Sequence, residues 1–96
     1  MTRVAVRELK RGLRANPAGS EGAQACAIAL LERSIEFRHG RLAVIRLAGA
    51  TQVGAHVPDS HWHYCETVVR QASDLALREL FLGASIRAGR QVRVES

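Results

Sequence analysis

Aromatic side chains are scarce in this sequence. Across 96 residues there are two phenylalanines, Phe37 and Phe81, one tyrosine, Tyr64, and one tryptophan, Trp62. A core must therefore be built mainly from Leu, Ile, Val and Ala, and a chain this short buries a modest share of its surface. Such a domain gains stability from any partner that covers apolar area, and a homo-oligomer is the expected form. Only two cysteines are present, Cys26 and Cys65. Two are too few for a disulfide scaffold, so both are expected as free thiols. No apolar run reaches the roughly 18 residues that would span a bilayer, which predicts no membrane partner. The first residues, Met1-Thr2-Arg3-Val4-Ala5-Val6-Arg7, lack the apolar stretch of a secretory signal. The expectation is a cytoplasmic protein forming one domain over residues 1–96.

Lysine is almost absent as well. Lys10 is alone, and the other thirteen basic residues are arginines. Arginine grips planar anions with two parallel hydrogen bonds, although a GC-rich coding bias produces the same composition. The formal net charge is +5. Residues 1–16 hold Arg3, Arg7, Lys10, Arg11 and Arg14 against Glu8, a net +4. The basicity is thus concentrated in one segment. There Val6, Leu9 and Leu13 recur at helical spacing with cations on the other face, giving a basic amphipathic N-terminal element. A short strand over residues 3–7 is the competing reading, because Val4 and Val6 alternate with polar neighbours. Asn16-Pro17 ends the element.

Residues 20–33 read as a helix, with Ser20 as N-cap and Glu21 in the first turn. Residues 34–57 read as an antiparallel meander. Ile35 and Phe37 alternate with polar residues, His39-Gly40 suits a tight turn, Arg41 to Leu47 is an aliphatic run, and Val53, Ala55 and Val57 alternate again. Residues 60–82 read as a second long helix with the stripe Trp62, Cys65, Val69, Ala72, Ala76 and Leu80 inward and Gly83 as its stop. Residues 90–95 read as a short strand. The expected fold is α+β, an antiparallel three- to four-stranded meander packed against two or three helices, in the order α-α-β-β-β-α-β.

Two groups of residues could carry function. His56, His61, His63 and Cys65 crowd one expected strand-to-helix junction, and imidazole with thiolate is the donor set of a zinc site. No Cys-x-x-Cys pair anchors that reading, and a helix beginning at Ser60 would turn His63 away from His61 and Cys65. A Cys65 nucleophile with a histidine base is the enzymatic version of the same cluster. Against it, Cys65 shares the buried stripe with Trp62, so no catalytic residue is assigned and no cofactor is required. The second group is Arg3, Arg7, Lys10, Arg11 and Arg14, a face suited to phosphates of nucleic acid or to an acidic protein surface. The function expected from the sequence is a small non-enzymatic binding or regulatory module. The alternatives are a His/Cys metal-binding or enzymatic domain and a structural assembly subunit.

Overall fold

The computed structural model describes residues 20–90. Among them there is no strand. Four helices follow one another: α1 (Glu21–Glu36), α2 (Gly40–Gln52), α3 (Asp59–Ala72) and α4 (Leu75–Arg87). The expected α+β meander is therefore wrong, and an all-helical bundle takes its place. Residues 34–36 finish α1, Arg41 to Leu47 lie inside α2, and Val53 to Val57 form the loop before α3. The expected single helix over 60–82 is two helices. The expected N-terminal element at residues 1–16 and the strand at 90–95, beyond Arg90 itself, lie outside the described residues.

The reason is visible in the spacing of buried positions. In α2 the buried residues are Ala43, Val44, Leu47, Ala48 and Ala50. That is the 3.6-residue rhythm of one helix face rather than the alternation of a strand. Leu, Ala and Arg are also among the better helix formers, and they dominate this stretch.

The helix ends are closed by local hydrogen bonds. Ser20 Oγ accepts from the Ala23 amide at 3.2 Å and caps α1. At the end of α1, the His39 amide donates to the Ser34 carbonyl at 2.8 Å and the Arg38 amide to the Ile35 carbonyl at 3.0 Å. This is a Schellman closure with Arg38, at φ 55°, in the left-handed place usually given to glycine. Gly54 (φ 75°) and Gly89 (φ 69°) fill the same place after α2 and α4. The chain breaks between α3 and α4 at Ser73, which is left-handed with φ 50°. Asp74 then caps α4 by accepting from the Leu77 amide at 3.2 Å. That bond first, and the side-chain bond from Arg41 second, hold the Asp74 carboxyl below its ordinary range.

α2 is the central element. It touches each of the other three helices, whereas α1 and α4 do not meet. α1 runs antiparallel to it, since Gln24 near the start of α1 donates to the carbonyls of Val53 and Gly54 just past the end of α2. α4 runs parallel to it. Arg41 pairs with Asp74 at their starts, and Arg87 Nε donates to Thr51 Oγ1 at 3.1 Å at their ends. α3 packs against both. A Cβ at Gly40 would meet the side chain of Val68 on α3 at 2.9 Å, so the absence of one lets α2 and α3 approach. Trp62 of α3 meets Phe81 of α4 edge to face at 5.9 Å. The largest fully buried side chains are Leu31, Val44, Leu47 and Cys65. Buried alanines at 23, 27, 43, 48, 50 and 84 fill the rest of the interior.

Candidate functional site

The first turns of α3 carry the densest polar chemistry. α3 begins at Asp59 behind Pro58, whose carbonyl accepts the first helical amides and whose ring supplies no side-chain cap. Successive residues then rotate by about 100° around the helix axis, which decides where each candidate points. His56 precedes the helix and is exposed in the α2–α3 loop. His61 leans toward α1, its Nε2 3.2 Å from Glu32 Oε2, and its Nδ1 lies 3.4 Å from Ser60 Oγ. His63 is exposed on another side of the helix. Cys65 lies one turn beyond His61 and is fully buried in the core with Trp62, Leu47 and Val44.

These four side chains therefore do not converge. Among the described residues, no group of three or more His, Cys, Asp or Glu side chains is placed to hold a metal ion. What the junction does is structural: His61 and Glu32 link α3 to α1 across the surface. The nucleophile reading meets a further obstacle. Burial pushes the Cys65 thiol up to about 12, because the thiolate would lose its hydration in an apolar interior. A thiol held protonated is a poor nucleophile. Treating the native protein with a disulfide reagent near pH 8 should modify the half-buried Cys26, while Cys65 reacts at least about a thousandfold more slowly than an ordinary exposed thiol. Rapid modification of Cys65 before unfolding would contradict its placement.

Trp62 is buried rather than offered for stacking. The Arg90 guanidinium sits 4.7 Å from its ring centroid and donates to Asp59 at 2.9 Å, which closes the chain over the start of α3. Tyr64 is half-buried against the core. The second candidate group, Arg3, Arg7, Lys10, Arg11 and Arg14, lies outside the described residues.

Two features were not read from the sequence. Arg33 lies over the Phe37 ring at 4.7 Å, and its buried Nη1 has no hydrogen-bond partner among the described residues. The outward sides of α2 and α4 leave Leu42, Ile45 and Leu80 exposed. The signal for the second was present in the i, i+3 spacing of Leu42 and Ile45, but reading that stretch as a strand concealed it. Comparison of the chain with protein families, with curated proteins and with solved structures finds no match in any of the three.

Proposed function

We propose that this protein is a non-enzymatic binding module that associates with a second copy of itself. In this reading Arg3, Arg7, Lys10, Arg11 and Arg14 meet an anionic partner, either nucleic acid or an acidic protein surface. The observation that supports it is the segregation of charge. Residues 1–16 hold a net +4, whereas residues 20–90 hold eight arginines against seven acids. Within the bundle, Arg41, Arg70 and Arg90 already face Asp74, Glu66 and Asp59. The cations of the first segment have only Glu8 among them, so an external anion is the natural complement. The withdrawn Cys65 and the divergent histidines favour binding over catalysis.

Fluorescence anisotropy with labelled duplex DNA, single-stranded DNA and RNA tests the reading. Neutralising about four phosphates predicts roughly a hundredfold loss of affinity between about 50 and 200 mM salt. The Arg7→Glu, Arg11→Glu double variant should weaken binding to every sequence alike. Absence of binding at low salt eliminates nucleic acid and leaves the acidic protein surface. No helix among the described residues is long and apolar enough to cross a membrane.

A further inference from the structure

Among the described residues, α2 has neighbours on three sides and is open on the fourth. With Ala43, Val44 and Leu47 turned inward, the residues turned outward are Leu42, Ile45 and Gly49, at i, i+3 and i+7. Leu42 is 37% and Ile45 48% exposed. On α4, Leu77 and Ala84 point inward, which leaves Ala76 and Leu80 as a second outward strip, closed at Gly83 by the Arg87 side chain, whose Nη1 is 3.6 Å from where a Cβ there would stand. α3 packs against the opposite side of both helices, through Val68 under Gly40 and Trp62 against Phe81. The two strips therefore face the same way and form one apolar surface. Among the described residues nothing stands over Gly49, since a Cβ there would meet nothing within 4 Å.

Opposite charges border this surface. Arg46 lies on its α2 edge and Glu79 on its α4 edge, and neither has an ion-pair partner among the described residues. The pairs Arg41–Asp74 and Arg87–Thr51 fix the relative height of the two helices. They bring Arg46 level with Glu79. The charges decide what can cover the face. The chain's own first 16 residues carry +4, the same sign as Arg46 and Arg87 on this face. A second copy turned about an axis perpendicular to the helices would set α2 on α2 and Arg46 against Arg46. A second copy turned about an axis parallel to the helices sets α2 over α4 and Leu42 over the small Ala76. It also brings Arg46 to the partner's Glu79 at equal height, twice by symmetry.

The geometry points to this arrangement: the α2/α4 face is a two-fold homodimer interface, held by Leu42, Ile45 and Leu80 and registered by Arg46–Glu79 pairs between protomers. It rests on the self-association in the proposed function and names the surface responsible.

Sedimentation equilibrium of the full chain, from about 1 to 200 µM, should reveal a dimer. Ile45→Glu sets a charge in the centre of the face and should yield a monomer with unchanged helical circular dichroism. Arg46→Glu should weaken the dimer roughly tenfold, because two pairs become two repulsions. Adding Glu79→Arg should restore the original affinity. Should Ile45→Glu fail to fold, the charge swap alone decides. A wild-type chain monomeric at the highest concentration overturns the inference and the self-association with it, while the salt-dependent anion titration still judges the N-terminal segment separately. A dimer that survives Ile45→Glu, or is not restored by the swap, overturns this face alone.

Discussion

Replacing Leu47 by alanine is expected to destabilise the monomer by about 3 kcal/mol, whereas replacing Ile45 by alanine should cost less than about 1 kcal/mol. Both residues belong to α2, two positions apart. Leu47 is fully buried at the centre of the helix that touches all three others. Its truncation removes the transfer energy of the lost carbons and leaves a cavity that three helices cannot all close. Ile45 stands on the open side. A strand would place 45 and 47 on one face and make their substitutions comparable, so the contrast tests the helix directly. Total stability for a chain of this size is about 5–10 kcal/mol, and Leu47→Ala would remove a large part of it. Urea unfolding monitored by circular dichroism, dilute enough to hold the monomer, measures both values. Equal losses at the two sites would contradict the helical assignment of residues 40–52.

The starts of two helices were legible in the sequence. Ser20 and Glu21 begin α1 as expected, and the start of α3 behind Pro58 falls within a residue of its predicted place. The middle of the chain was not, for three physical reasons. Arg41 to Leu47 is too short an aliphatic run for periodicity to separate a buried strand from a buried helix. His39-Gly40 has the composition of a hairpin turn, yet the left-handed residue there is Arg38, and Gly40 instead makes room for Val68. The alternation of Val53, Ala55 and Val57 belongs to a loop whose Val57 plugs the core.

The break between α3 and α4 was hidden by a different ambiguity. Asp74 and Arg78 fit an i, i+4 pair within one helix, but Asp74 is the cap of a new one and its partner is Arg41 from α2. Gly83, expected as a stop, lies within α4, and the helix runs four residues further. For the candidate cluster, sequence proximity misled because helical rotation separates neighbours. His61 and Cys65 share a side, yet one reaches Glu32 at the surface and the other is sealed in the core. The inward stripe held as far as α3 runs, with Trp62 and Cys65 buried and Val69 and Ala72 packed against the core, whereas Ala76 and Leu80 beyond the break are exposed.

Trp62 carries the second large expectation: Trp62→Ala should cost about 4 kcal/mol, and Arg90→Ala less than about 1 kcal/mol. The indole is 3% exposed. It holds α3 to α4 through Phe81, and the Arg90 guanidinium covers its face from the chain end after α4. Removing the indole leaves a cavity between two helices whose direct contact is limited, so α4 would be held chiefly by α2. Removing Arg90 takes away a partly exposed cation–π contact and a surface pair to Asp59, both screened by water. Trp62→Phe should recover about half of the loss by refilling the apolar part of the site. The comparison separates two roles for the tryptophan, core anchor or exposed stacking platform, since a platform residue could be truncated at little cost to stability. It also bears on the dimer. If Trp62 fixes α4, then Trp62→Ala should weaken self-association in chains that remain folded, because Leu80 and Glu79 would no longer be held level with Ile45 and Arg46.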